Sequence, residues 1–407
     1  MADRDPCWAT ITEVQAAMQE GRLTSLQLTE RFLERIEAYD RSGPRLNAVL
    51  EVNSEARDIA EALDRERVSG GSRGPLHGIP IFLKDNIATA DRLHTSAGSQ
   101  ALKDCVAPRD AFLVARLREA GAVILGKANM TEWANFMTTD MPAGYSSRGG
   151  QVKNPYGESL SPGGSSSGSA VVVAAGLCTV AVGTETSGSI LSPANWNSVV
   201  GVKPTLGLIS RSGIVPIAAS QDTAGPFGRT VTDTAILLGA MTGVDTLDRA
   251  TRASRRHARR DYTELLSQGG LEGVRLGVPR AVFYERLAPP EVPVIDTALH
   301  ALGGLGAALV DPANIATARE VTDFRSDVML YEFKRDLNRY LQGLGESSPV
   351  HSIRDLIRFN EARPRRCCAS VRCGCSRRSR RMGSGPRRTA VAAPRISGSR
   401  EPTASIG

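Results

Sequence analysis

A chain of 407 residues, 41% hydrophobic and 5% aromatic, can bury a core as one large domain or two ordinary ones, and no apolar run approaches the length of a membrane span. The opening stretch MADRDPCWATITEV has no apolar signal segment, so the expectation is a soluble intracellular (cytoplasmic) protein with no membrane partner. The net charge of +7 is a poor guide to partners: residues 363–407 hold twelve arginines and one acid, Glu401, which leaves −4 for residues 1–362 and argues against a nucleic-acid partner.

The first elements read as helices. Thr10 and Glu13 have capping-box spacing, Ile11, Val14 and Met18 share one helical face, and Gly21 can end the segment. Ser25 opens a second helix with Leu28, Phe32, Leu33 and Ile36 on its apolar side. Asn47–Val52 is a candidate strand, and Ile79–Leu83 is a short apolar strand that ends at Lys84. DAFLVARLREAGAVILGKANM reads as helix, glycine, strand. Similar alternation recurs at LEGVRLGVPRAVF and DTALHALGGLGAALVDP, which predicts an α/β layered fold around a largely buried sheet. Thr246–Asp261, TLDRATRASRRHARRD, reads as a solvated charged connection.

After Ala362 the periodicity stops. Residues 363–407 are too poor in large apolar side chains to offset their ordering entropy. They are expected to lie outside a folded domain spanning 1–362, as a basic low-complexity tail that is disordered or frameshift-derived, leaving that domain incomplete at its C-terminus. Cys367, Cys368, Cys373 and Cys375 do not form paired Cys-x₂-Cys units, which argues against a zinc site.

Two serine–glycine stretches, SPGGSSSGSA from Ser161 and GTETSGSI from Gly183, flank one apolar run. No Lys-Ser or Lys-Thr closes the first as a phosphate-binding loop would. Gly164-Ser165-Ser166-Ser167-Gly168 fits the nucleophile elbow G-x-S-x-G with Ser166 as nucleophile. That template also needs an acid and then a histidine, and the later histidines, His257, His300 and His351, have no distinctive setting. A second combination needs none. A neutral lysine can deprotonate a serine, and desolvation makes a lysine neutral. Lys84 sits at the end of an apolar strand, hydroxyls can relay a proton, and glycines let backbone N–H groups approach an oxyanion.

The order GIPIFLKDN, SPGGSSSGSA, GTETSGSI, VVGVKPTLGLIS, SQDTAGPFGRTVTD resembles the amidase signature family of amide hydrolases, most of all its peptide-amidase branch. The resemblance implies a single α/β/α domain with a large mixed sheet. It also implies a Ser-Ser-Lys triad working through an acyl-enzyme: Lys84 as base, Ser165 as relay after a cis peptide bond, and Ser189 as nucleophile. Backbone N–H groups of Thr186, Ser187, Gly188 and Ser189 would form the oxyanion hole. Family members often carry Asp or Gly where this chain has Ser187. No metal or organic cofactor is implied, and the substrate would be a small-molecule or peptide amide. The resemblance leaves two alternatives: an amidotransferase A-type subunit that releases ammonia from glutamine with partner subunits, or an inactive truncated amidase.

Overall fold

The computed structural model describes residues 5–138, 141–266, 270–322 and 327–363. Six strands form one mixed sheet: β1 (Val49–Val52), β2 (Pro80–Lys84), β3 (Val123–Ala128), β4 (Val180–Glu185), β5 (Val200–Gly201) and β6 (Thr223–Gly228), in the order β1-β3-β2-β4-β6-β5. β2 runs parallel to both β3 and β4, and the other pairings are antiparallel. β2, β3, β4 and β6 are buried at every position. Strands covered on both faces need no polar alternation, which is why PIFLK, VILGKA and VAVGTE read as near-continuous runs.

The helices follow their caps. α1 (Ile11–Gln19) starts on the expected capping box: the Glu13 N–H donates to Thr10 Oγ1 and the Thr10 N–H to Glu13 Oε2. α2 (Ser25–Arg35) is capped by Thr24 with Gln27 completing the box, while Ser25 turns inward and donates to the Gly78 carbonyl at 2.8 Å. α3 (Ala56–Gly70), α4 (Phe112–Glu119), α5 (Ser167–Ala174) and α6 (Val231–Met241) complete the cover of the sheet. α5, SGSAVVVA, is buried all round except at Ala174, so it shows no amphipathic stripe. It packs against β2, β3, β4 and β6. Gly168 allows this approach: a Cβ there would come within 2.6 Å of the Asn129 nitrogen and 2.5 Å of the Ala48 carbonyl oxygen.

Three readings change. The expected strand from Asn47 begins only at Val49, because Asn47 has a left-handed φ of 55°. The two later alternating stretches do not extend the sheet. β7 (Arg275–Gly277) and β8 (Ala308–Val310) pair in parallel with each other across α7 (Glu291–Gly304), as a separate two-stranded sheet. Periodicity reports the type of an element; the same strand–helix–strand pattern serves whichever sheet it joins. The charged connection is anchored rather than wholly solvated: Thr251 and Ser254 are buried while Arg252, Arg255, Arg256, Arg259 and Arg260 are exposed. α8 (Asp327–Gln342) and α9 (Ile353–Glu361) build a second apolar cluster, in which Phe333, Leu337 and Leu356 join Met130 and Trp133. Among the described residues no helix is long and apolar enough to cross a membrane. Beyond Arg363, the expected tail lies outside the described residues.

Gly168→Ala is expected to cost about 1–3 kcal/mol or more, because the new methyl meets backbone atoms that cannot give way. Gly70→Ala, where a Cβ has open space, should cost nothing. Chemical denaturation of the two variants checks the contrast.

Candidate active site

Lys84 ends β2 and is fully buried. Its Nζ lies 2.8 Å from Ser165 Oγ, 2.8 Å from Thr184 Oγ1 and 3.2 Å from the Thr184 carbonyl oxygen. Asn86 Nδ2 donates to the same Thr184 hydroxyl at 3.0 Å. Burial pulls the Lys84 ammonium down from 10.5 to about 7, against the carboxylates of Asp222 and Glu185, which favour its charged form. Near neutral pH a large share of Lys84 is therefore an amine with a lone pair, able to accept the Ser165 proton rather than donate to it.

Ser165 follows a cis Gly164–Ser165 peptide bond, as the resemblance implies, and is fully buried. Its carbonyl accepts the Thr131 N–H at 3.0 Å. A side chain at Gly164 would have to displace Thr131 Oγ1, which a Cβ would approach to 2.6 Å. Ser166, the elbow candidate, is used up by structure: its Oγ donates to the Thr184 carbonyl at 2.9 Å and accepts the Thr184 N–H at 3.2 Å. The Ser166 N–H in turn donates to the Ser189 carbonyl at 3.2 Å, tying the second loop to the residue beside Ser165. Ser189 retains 7% exposure.

The four expected oxyanion donors divide. Gly188 gives its N–H to Glu185 Oε1 at 2.8 Å. The N–H groups of Thr186, Ser187 and Ser189 have no hydrogen-bond partner among the described residues. Gly188 has φ +81°, and a Cβ there would meet nothing within 4 Å, so this turn faces open space. Thr186 Oγ1 donates to Asp222 Oδ1 at 2.5 Å, and Asp222 Oδ2 accepts the N–H groups of Ile217 and Ala218. Burial raises the Asp222 carboxyl, opposed first by its hydrogen bond from Thr186.

A cleft of about 440 Å³ adjoins the site, with Asn86, Thr184, Thr186, Arg211, Asp222 and Tyr340 in its wall. Neither Ser165 nor Ser189 lines it, but Thr184, which bonds Lys84, does. Among the described residues no three His, Cys, Asp or Glu side chains converge as metal ligands do. Thr184, Asn86, Glu185 and Asp222 were not singled out from the sequence. The one available signal was the alternation Thr184–Thr186 in GTETSGSI, which puts both threonine side chains on one face of an extended segment.

A family model described as Amidase matches residues 27–391. The crystal structure of a peptide amidase from Stenotrophomonas maltophilia superposes with a TM-score of 0.85 at 48% identity, covering 90% of this chain and 74% of that one. An Arabidopsis thaliana protein named "Probable amidase" is 46% identical over 360 residues, 87% of this chain and 68% of its own length. The A-type subunit of the glutamyl-tRNA(Gln) amidotransferase from Halorhodospira halophila is 44% identical over 303 residues, 74% of this chain and 60% of its own length. The chain thus spans about three fifths to two thirds of these two curated relatives.

Ser166→Ala is expected to lose about 1–2 kcal/mol of stability, from two backbone groups left without their partner. It should keep turnover within about tenfold of wild type, since the hydroxyl has no route to a substrate. A fluorophosphonate probe that labels the wild type but not this variant, with both folded, would restore the elbow reading.

Proposed function

The chain belongs to the amidase family, whose chemistry is hydrolysis of amide carbon–nitrogen bonds, and on that premise we propose that Lys84, Ser165 and Ser189 act here as base, relay and nucleophile. One observation carries the reading: a fully buried lysine amine 2.8 Å from a buried serine hydroxyl, with the lysine held near neutrality of charge at about pH 7. Neutral Lys84 takes the Ser165 proton as Ser165 takes that of Ser189, and Ser189 Oγ attacks the amide carbonyl. The N–H groups of Thr186, Ser187 and Ser189, which lack other partners among the described residues, receive the oxyanion. Gly188 is left out of that set because Glu185 holds its N–H. The relay then runs backward and protonates the leaving amine. Water, deprotonated along the same route, releases the acid from the acyl-enzyme.

The substrate we propose is a small-molecule or peptide amide entering by the cleft beside Thr184. A second reading has support in the 44% identity to an A-type amidotransferase chain. It requires partner subunits and glutamine as the amide. Turnover of simple amides by the isolated chain supports the hydrolase; ammonia release from glutamine only with partners present supports the other.

Ser189→Ala should abolish acyl-enzyme formation and fluorophosphonate labelling. Lys84→Ala should lower kcat by orders of magnitude while the fold is kept. The base works only when neutral, so kcat/KM should fall roughly tenfold per pH unit below about 7. A Lys84→Ala variant with near wild-type turnover, or a rate flat from pH 8 to pH 5, refutes the lysine-base mechanism.

A further inference from the structure

Glu185 is the last residue of β4, buried to 4% exposure, and its side chain folds back under the turn that follows. Oε1 accepts the Gly188 N–H at 2.8 Å. Oε2 accepts the Ile190 N–H at 2.7 Å and the Leu191 N–H at 3.0 Å. One carboxylate therefore holds backbone groups on both sides of Ser189 and none of Ser189 itself. Among the described residues, the two oxygens leave three other N–H groups of the turn, those of Thr186, Ser187 and Ser189, without partners.

We propose that Glu185 is the positioning residue of the nucleophile turn: its carboxylate fastens residues 188, 190 and 191, and so aims Ser189 Oγ and the remaining N–H groups at one point. The proposal rests on the assignment of Ser189 as nucleophile. A turn with six consecutive N–H groups free to bond water could take many shapes, and Gly188, at φ +81° with open space around it, gives the chain no steric guidance. Engaging three of the N–H groups with a buried acceptor fixes the turn and sorts its donors into structural and chemical sets. The Ile190 and Leu191 bonds also cap the helical segment Leu191–Trp196, whose own preceding residue offers no side-chain cap.

The same carboxylate has a second consequence. Lys84 is fully buried with two acidic groups acting on it, Asp222 and Glu185, both favouring its protonated form; Arg211 acts in turn on Asp222. Removing the Glu185 charge should make Lys84 easier to deprotonate. The sign follows: the acid limb of kcat/KM moves to lower pH. A residue that only stabilised the fold would not move that limb.

The test uses the full chain with Glu185→Gln and Glu185→Asp. Glutamine keeps the shape but offers one acceptor oxygen, and its amide N–H₂ would face a backbone donor. We expect kcat per titrated active site to fall about 100-fold with KM changed little, and the acid limb to move down by roughly one pH unit. Aspartate keeps the charge on a shorter arm, so its limb should stay near wild type while kcat falls. Amide hydrogen exchange at Gly188, Ile190 and Leu191 should quicken in both variants, with the overall melt cooperative. Wild-type kcat per site, or a lower yield of active sites with an unmoved limb and unchanged exchange, overturns the proposal. Failure of the wild type to label at Ser189 would instead sink the nucleophile assignment, and amide exchange would still decide whether Glu185 holds the turn.

Discussion

A lysine amine withdrawn completely from water sets the terms for everything around it. A buried ammonium is costly unless it is paired, and among the described residues Lys84 contacts two hydroxyls and a carbonyl but no carboxylate. The low-cost state is the neutral amine, and burial favours it by drawing Lys84 down to about 7. Asp222 and Glu185 restrain that shift. The site thus balances desolvation against two nearby negative charges, and the balance lies where a general base is most useful, close to working pH.

The fold supplies this arrangement through adjacency of parallel strands. β2 lies between β3 and β4 and runs parallel to both, so the carboxyl ends of all three strands open on the same edge. β2 delivers Lys84 there, β4 delivers Thr184 and Glu185, and the residues after β3 receive the Ser165 loop through the Thr131 N–H. α5 presses Ser165 and Ser166 onto that edge, and Gly168 makes the contact close enough. Glycines elsewhere in the two loops act as clearances of the same kind. A Cβ on Gly183 would meet Ser166 Oγ at 2.7 Å, so Ser166 could not bridge to Thr184.

Much of this was legible in the sequence itself. The apolar run before Lys84 predicted a buried strand ending in a buried lysine, and the capping box at Thr10 and Glu13 fixed the first helix to the residue. The assignment of Ser165 and Ser189 came from resemblance, because stretches holding five serines and two serines offer no local reason to choose among them. What the sequence hid were contacts between distant residues. Thr184 meets Lys84 and Asn86 across about 100 positions, and Asp222 reaches back 36 positions to Thr186. Glu185 was hidden differently: a carboxylate three to six residues from the N–H groups it holds looks like any strand-end acid until the turn is seen. In the later stretches the structure forms β7, α7 and β8, with no helix in residues 271–283, and their strands pair with each other rather than with the main sheet, since pairing partners are not encoded in local period.

The central claim is that Lys84 is a neutral amine at working pH. Its protonation can be followed directly from the side-chain ¹⁵N and ε-carbon resonances of lysine-labelled protein, titrated between pH 5 and 10, with Lys84→Met identifying the signal. The account predicts a midpoint near 7, distinct from the other strongly lowered lysine, Lys127, at about 8. A Lys84 resonance that stays in its ammonium form up to the ordinary lysine value of about 10.4 would contradict the account at its foundation.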